Sequence, residues 1–443
     1  MSESLNAQKG ARRRAVISSV SGNALEFYDT TVYAFFTIYF AGHFFPAEDA
    51  LTSQIYAYFV FGISYLVRPL GGILLSVYAD RIGRKPLIVL LMIVMALTTG
   101  CIGLLPTYAQ IGMAAPILLI AIRLLQAVAV GGLFSSTTAF LMEFAPPDRR
   151  GFYASMQMMA QALSPILANL VALSLLYLVG RDAVIDVWWR LPFLLGFLTL
   201  PLGYYIHKHV NESPDFTQYV AQAARRKTSS APQPLSMSQT LKQWTLVRQI
   251  VCCVGVITVG TVSFFGVNIY LPGYVQTLLG LADTQRTWLA LTAPACAAVS
   301  VLIGGGLSDR IGRKNMLQLG IVLYALAFFG LFFYFSGGNA SYGFALFGFA
   351  VLGFCMGLHW GAVPILLAES FPIHVRATAI AIPYNLTVVL FGALTPTYLK
   401  LFERMFGNTP YNVLLYIGTS IVISLVASTF WRPADKLALK TTL

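Results

Sequence analysis

The chain has 443 residues, of which 57% are hydrophobic and 10% are charged, and its formal net charge is +12. Soluble domains carry about 25% charged residues, so this composition excludes an ordinary soluble domain and a disordered chain and indicates a membrane protein with many spans. Twelve apolar spans are predicted, at about 17–40, 53–79, 86–106, 112–144, 152–179, 191–208, 248–277, 286–307, 315–336, 341–370, 377–402 and 410–431.

The lysine and arginine residues predict how the chain is oriented. One set of loops, together with both termini, holds 22 of them, whereas the opposite set holds five: Arg181, Arg190, Arg286, Lys400 and Arg404. By the positive-inside rule, the first set and both termini are expected to face the cytoplasm. The basic excess is therefore a topology signal, and no nucleic-acid partner is expected.

The longest polar stretch divides the spans into two groups of six. It contains ARRKTSSAPQPLSMSQ, whose Pro, Ser and basic residues are typical of a linker. The predicted domains are a cytoplasmic N-terminus (1–16), a six-helix bundle (17–208), a cytoplasmic linker (209–247), a second six-helix bundle (248–432) and a cytoplasmic C-terminus (433–443).

The sequence gives no sign of a cofactor, a metal site or a disulfide framework. The five cysteines lie in apolar segments without C-x-x-C spacing, which favours buried, inert thiols. No phosphate-binding P-loop is present, and the five histidines are scattered. We therefore expect neither an enzyme nor an ATP-driven pump.

A repeat relates the two halves. VYADRIGRK (77–85) recurs as GLSDRIGRK (306–314), and EFAPPDRRG (143–151) resembles ESFPIHVRA (369–377). The two offsets, 229 and 226 residues, agree closely, so the chain is predicted to be a tandem duplication of a six-span unit, which is typical of secondary transporters.

The repeated loops predict a cytoplasmic gate. Their aspartates can accept hydrogen bonds from adjacent helix ends or pair with arginine, and their second arginines, Arg84 and Arg313, can reach Glu143 or Glu369. A positive-inside anchor is the alternative interpretation. The predicted gate residues are Asp80, Arg81, Gly83, Arg84, Glu143, Arg150, Asp309, Arg310, Gly312, Arg313, Glu369 and Arg376.

These loop motifs resemble those of the major facilitator superfamily, and the resemblance spans essentially the whole chain. Within it, the chain is similar to the metabolite:proton symporters through GNALEFYD (22–29), VRPLGG (67–72), RLLQ (123–126), ESPDF (212–216), AESFPIHVRAT (368–378), YN (384–385) and FGALTP (391–396). The resemblance implies twelve helices in two pseudo-symmetric bundles, a monomer, and a bacterial inner-membrane location.

The sequence departs from the family pattern at three positions. Ser76 replaces the glycine that precedes the first loop aspartate, although Gly305 retains it in the second copy. Ala127 and Leu133 stand where the family often has a glycine and an acid. The FPAE stretch (45–48) and the short segment after Arg432 look more like the citrate/tricarballylate branch than the osmolyte branch.

Four charged residues lie deep in the first half, where an ionised group is costly. Glu26 and Asp29 share one helix face, and Arg68 lies at a similar depth, roughly 18 Å from the cytoplasmic side. Arg68 is expected to pair with Asp29, leaving Glu26 freer to exchange a proton. Arg123 is expected either to bind an anionic substrate or to pair structurally with the first span. The second half is expected to have no acid or arginine at depth.

Further polar residues are predicted to contact the substrate. Gln157 and Gln161 lie one turn apart in the fifth span, His359 lies in the tenth and Asn385 in the eleventh. Each has the alternative of a hydrogen bond between helices.

The sequence favours a proton-coupled symporter for a small organic anion such as citrate or tricarballylate. Glu26 and Asp29 are predicted to couple protons, and Arg68, Arg123, Gln157, Gln161, His359 and Asn385 to bind the substrate. A proline/betaine symporter and a metabolite or drug exporter remain alternatives, as do, less favoured, a membrane enzyme, a channel and a receptor.

Overall fold

The described part of the chain is helical apart from short connections between the helices. The structure, a computed structural model, describes residues 27–71, 84–130, 145–198, 243–336, 341–371, 376–407 and 409–434, together with residues 20, 23, 24, 75, 138, 141, 200, 201, 204 and 208. Among these residues there is no β-strand. Eight of the described helices are long and apolar enough to cross a membrane, and two shorter apolar helices accompany them.

Each predicted span contains one of twelve helical elements. These are α1 (27–44), α2 (Ala50–Gly71), α3 (Arg84–Leu104), α4 (Ala114–Val130), α5 (Arg150–Leu178), α6 (Leu191–Leu198), α7 (Trp244–Leu279), α8 (Asp283–Ile311), α9 (Arg313–Ser336), α10 (Tyr342–Glu369), α11 (Arg376–Phe406) and α12 (Pro410–Phe430). Most bounds agree with the predictions, but α8 begins three residues earlier than predicted and ends four residues later.

Two of the helices change their winding partway along. A π-helical turn interrupts α7 at Gly266–Tyr270, and another interrupts α11 at Val388–Gly392. Such turns widen a helix locally and are frequent at functional sites. Both lie beside the interface between the first bundle (α1–α6) and the second bundle (α7–α12), where Phe265 packs on Phe61.

Glycines allow the helices of the two bundles to approach closely. At Gly305 in α8, an added Cβ atom would collide with Ser155 and the Gly151 carbonyl of α5. At Gly62 in α2 it would collide with Leu394 in α11. Small residues at such crossings are the usual means of close packing between membrane helices.

The α5–α8 contact runs between two ends of the molecule. We call the end that carries Asp309 the motif end and the end that carries Asp283 the far end. At the far end, Arg181 Nε lies 2.8 Å from Asp283 Oδ2. Between the far end and the middle of the two helices, the Asn169 side-chain amide donates to the Ala290 carbonyl over 3.3 Å. The two bundles therefore contact each other at the motif end, where Gly305 meets Ser155, and towards the far end of this pair of helices.

Close packing inside the second bundle gives a stability prediction. Because a Cβ atom at Gly353 in α10 would collide with the Ala293 backbone of α8, Gly353→Val should destabilise the protein by about 1–3 kcal/mol through overpacking. Gly330→Ala in α9 is the matched control, since nothing lies within 4 Å of the added atom. Melting temperatures in detergent should fall for the first variant and hold or rise for the second; equal values would contradict this packing.

Candidate functional site

Asp309 joins the two bundles at the motif end. Its carboxylate accepts hydrogen bonds from the backbone N–H groups of Gly151 (2.9 Å) and Phe152 (3.0 Å). Those residues lie in the first turn of α5, where unpaired N–H groups and the helix dipole attract negative charge. The second copy of the repeated loop thus caps a helix of the opposite bundle, a contact of the kind that the sequence predicted.

Arg313 extends this motif-end cluster. It pairs with Asp309, and its Nε lies 3.2 Å from Glu369 Oε1. The predicted contact between Arg313 and Glu369 is therefore present. Gly312 turns the chain between α8 and α9 with φ = 92°, a left-handed conformation that favours glycine.

For the remaining predicted gate residues, the described side chains show no hydrogen bond or ion pair that joins the two bundles. Arg150 and Arg310 are exposed. Arg84 is the first residue of α3 and Arg376 is the first residue of α11. The structure describes the backbone of these two residues but not their side chains. Asp80, Arg81, Gly83 and Glu143 lie outside the described residues.

Asp29 is the centre of a buried polar network within the first bundle. It lies 3.0 Å from Arg123 Nη1. Its other oxygen accepts hydrogen bonds from the Thr99 hydroxyl and the Gln126 amide, each over 2.8 Å. Arg123 also donates to the Gln126 carbonyl oxygen over 2.8 Å and stacks over the Tyr33 ring at 4.4 Å. Every described polar neighbour donates to Asp29, which suits a carboxylate that can only accept.

This network corrects the expected pairing of Arg68 with Asp29. The partner of Asp29 is Arg123, so the structure favours the predicted alternative in which Arg123 pairs with the first span. The geometric reason is that α4 packs on α3 and places Arg123 and Gln126 against Asp29 in α1. Arg68 instead lies over the ring of Tyr65, at 4.6 Å from its centroid.

A small cavity lies between the two bundles. Its volume is about 30 Å³, which accommodates a water molecule or two rather than a di- or tricarboxylate. Among its described lining residues, Arg68 is the one charged side chain and Gln161 contributes an amide whose nitrogen has no hydrogen-bond partner. The others are Phe27, Tyr65, Met158, Ile257, Thr261, Phe264, Phe265, Trp360, Val363, Tyr384 and Val388.

The other predicted substrate residues are not among those that line this cavity. Gln157 is fully buried and accepts a hydrogen bond from the Thr138 hydroxyl. His359 lies behind the cavity wall, against Gly260 in α7 and Gly320 in α9. Asn385 is buried beside the cavity residue Tyr384, and Glu26 lies outside the described residues.

Arg286 is a buried charge that sequence reasoning placed in a loop. It lies in the first turn of α8, and its side chain is 2% exposed. The second bundle therefore carries a buried arginine at the start of α8, where a loop was predicted, although not deep in the span. The longer α8 explains the error, because a helix that begins at Asp283 brings Arg286 inside the packed region.

Comparison with known proteins decides the family. The model of the Major Facilitator Superfamily matches residues 22–396. The chain belongs to the major facilitator superfamily. This superfamily member is 30% identical to the citrate-proton symporter of Salmonella typhi over 394 residues, which cover 89% of the chain and 88% of that relative. It is equally 30% identical to the proline/betaine transporter of Escherichia coli strain K12, covering 88% of the chain and 77% of that relative.

Solved structures of the superfamily share its fold. The xylose transporter XylE from E. coli, in a partially occluded inward open conformation, superposes with a TM-score of 0.74 at 17% identity, covering 97% of the chain and all of that structure. A D-xylose-proton symporter gives a TM-score of 0.70 at 18% identity, covering 95% and 98%. The expected all-α fold, with twelve membrane helices in two pseudo-symmetric bundles, is confirmed.

The buried ion pair predicts a non-additive effect on stability. Arg123→Gln should leave the Asp29 carboxylate without its charged partner at a cost of about 3–5 kcal/mol. The double variant with Asp29→Asn should melt at a higher temperature than Arg123→Gln, because it removes the stranded charge as well.

An exposed pair supplies the control for this cycle. Arg149 lies 3.7 Å from Asp148, and both side chains are more than 70% exposed, so Arg149→Gln should leave the melting temperature unchanged. The coupling would be contradicted if the melting temperature of the double variant fell by the full sum of the decreases caused by Arg123→Gln and Asp29→Asn alone.

The Asp309 contacts predict the stability of closure at the motif end. Asp309→Ala removes two charge-assisted hydrogen bonds, each worth about 1.5–3 kcal/mol, and should speed labelling of a buried reporter at least about tenfold. The reporter is Ser155→Cys in a variant without the five native cysteines, probed with a maleimide. Arg310→Ala, which alters an exposed neighbour, should leave the labelling rate unchanged. Slow labelling in both would show that Asp309 does not hold this end closed.

Proposed function

We propose that this protein is a proton-coupled symporter for a small organic anion. The proposed substrate class is di- and tricarboxylates such as citrate and tricarballylate. The observation that carries the proposal is the cavity between the bundles, which Arg68 and Gln161 line together with aromatic side chains of the second bundle. A guanidinium and an amide are complementary to a carboxylate. The similarity to citrate-proton symporters supports the same substrate class.

The proposed transport cycle alternates access to that cavity. In this structure the bundles meet at both ends of α5 and α8, and the cavity is too small for a carboxylate substrate. Rocking of the bundles would break the contacts at one end while keeping those at the other. The Asp309, Arg313 and Glu369 cluster is the proposed gate at the motif end, which we assign to the cytoplasmic side of a bacterial inner membrane.

Proton coupling is assigned to Glu26 and Asp29. Asp29 has three donors that match its carboxylate form, and Arg123 neutralises it. We assign proton exchange first to Glu26, which precedes it by three residues in the sequence. Arg68 is the proposed substrate cation, whereas Arg123 acts by holding Asp29. Gln157, His359 and Asn385 are proposed to support the cavity.

A proton-coupled proline/betaine symporter is the second candidate. Its support is the equal identity to proline/betaine transporters and the aromatic lining of the cavity, since Trp360, Phe264 and Tyr384 are side chains that can bind a quaternary ammonium group. The positive charge of Arg68 favours an anion over this net-neutral alternative.

Reconstitution of the purified protein in liposomes tests the proposal. Citrate, tricarballylate, 2-oxoglutarate and glycine betaine would be offered as labelled solutes with and without an imposed pH gradient. We expect accumulation of a di- or tricarboxylate that the gradient drives, since symported protons contribute their free energy to the solute. Accumulation of betaine alone would identify the second candidate, and movement of none of the solutes would contradict symport of either class.

Variants assign the roles within the same assay. Arg68→Gln should raise the KM for the carboxylate by at least about tenfold, because a charged hydrogen-bonded contact is worth about 1.5–3 kcal/mol. Glu26→Gln should retain solute exchange at equilibrium but lose accumulation driven by the pH gradient. Full accumulation by both Glu26→Gln and Asp29→Asn would remove these acids from the coupling mechanism.

A further inference from the structure

Arg286 is a buried cation for which the described structure offers no counter-charge. Its side chain is 2% exposed, and its Nη1 atom has no hydrogen-bond partner. Among the described residues, no carboxylate lies within ion-pair distance of it. Burying an unpaired charge is energetically costly. The presence of Arg286 at this position therefore requires a structural or functional explanation.

The nearest acid, Asp283, is already engaged by other groups. It lies one turn before Arg286 in α8, forms the far-end ion pair with Arg181, and accepts a hydrogen bond from the Gln276 amide over 2.6 Å. The exposed Arg181 neutralises Asp283, which leaves the charge of Arg286 in excess. The cluster of Arg181, Asp283 and Arg286 therefore holds two positive charges and one negative charge.

Aromatic residues of the first bundle cover Arg286. Its guanidinium carbon lies 4.6 Å from the centroid of the Phe35 ring in α1. Tyr39 and Tyr58 lie close enough to Arg286 for electrostatic interaction. A cation–π contact offsets part of the burial cost. It supplies neither a negative charge nor an acceptor for the open N–H groups.

The position of this cluster separates it from the cavity. Arg68 follows Tyr58 by ten residues in α2, which corresponds to about 15 Å along the axis. One small tricarboxylate cannot bridge that distance. Arg286 also belongs to α8 in the second bundle, whereas its cover belongs to α1 and α2 in the first. Separation of the bundles at the far end would therefore uncover it.

We propose that Arg286 is a second carboxylate-binding site, at which the substrate anion binds on its way between the far end and the cavity at Arg68. When the far end opens, the guanidinium presents its unpartnered Nη1 group to an incoming carboxylate. When it closes, Phe35 covers the guanidinium and the anion moves on to the deeper cation. This inference rests on the proposed function, because its ligand is the same organic anion.

Uptake kinetics of the full chain in liposomes test this site, with citrate and tricarballylate as probes. Arg286→Gln should raise the KM at least about tenfold while changing kcat less than about twofold, since it removes a charged contact made on binding. It should also weaken the dependence of kcat/KM on ionic strength, which reports attraction of an anion to a cation. Arg286→Lys keeps the charge and should recover part of the KM. Arg149→Gln, at an exposed arginine of the motif end, should leave the KM within about twofold, because surface charge pairs contribute little.

A structural role for Arg286 would have a different signature. It would lower kcat or the yield of folded protein and leave the KM and its salt dependence as in the wild type, and this result would overturn the site. If Arg286→Gln did not fold, Arg286→Lys would decide the question through its KM alone. Carboxylate uptake by the wild type with an unchanged KM in the variants would overturn this inference only. Absence of carboxylate uptake by the wild type would overturn the proposed function and this inference with it.

Discussion

The ion pair of Asp29 with Arg123 is the interaction on which the arrangement of the first bundle depends. A charge inside a membrane protein is tolerated only with a partner and satisfied hydrogen bonds. Here Thr99, Arg123 and Gln126 supply three donors to one carboxylate and tie α1, α3 and α4 together. Arg123 is engaged in this network, whereas Arg68 is the charged residue among the described residues that line the cavity between the bundles. We therefore assign substrate binding to Arg68 and proton coupling to the acids of the first span.

Closure between the bundles depends on a different combination of forces. Glycine at positions 305 and 62 lets α8 and α11 approach α5 and α2, so that backbone and side chains meet at van der Waals distance. Polar contacts then close both ends: Asp309 at the helix start of α5, and Arg181 with Asp283 at the far end. The polar contacts at the ends are few and can be exchanged for contacts with water, so that either end can open. Alternating access requires this combination.

The sequence predicted the fold well because its signals are local. Apolar periodicity and length locate twelve spans, and two repeated loops relate the halves. The Arg313–Glu369 contact and the helix-capping role of Asp309 followed from spacing and charge. The partner of Asp29 did not follow, because which face of α4 meets α1 depends on packing between distant segments. Arg286 was missed because three residues at a helix start decide whether an arginine lies in a loop or inside the protein, and hydropathy does not resolve so short a distance.

Coupling of the anion to protons is the central claim of this account, and proton movement caused by the solute tests it most directly. Proteoliposomes would start without a pH gradient, with the membrane potential clamped and a pH-sensitive dye inside. Addition of citrate or tricarballylate outside should acidify the lumen at a rate that follows solute uptake. Uptake of the carboxylate without acidification of the lumen would contradict proton symport.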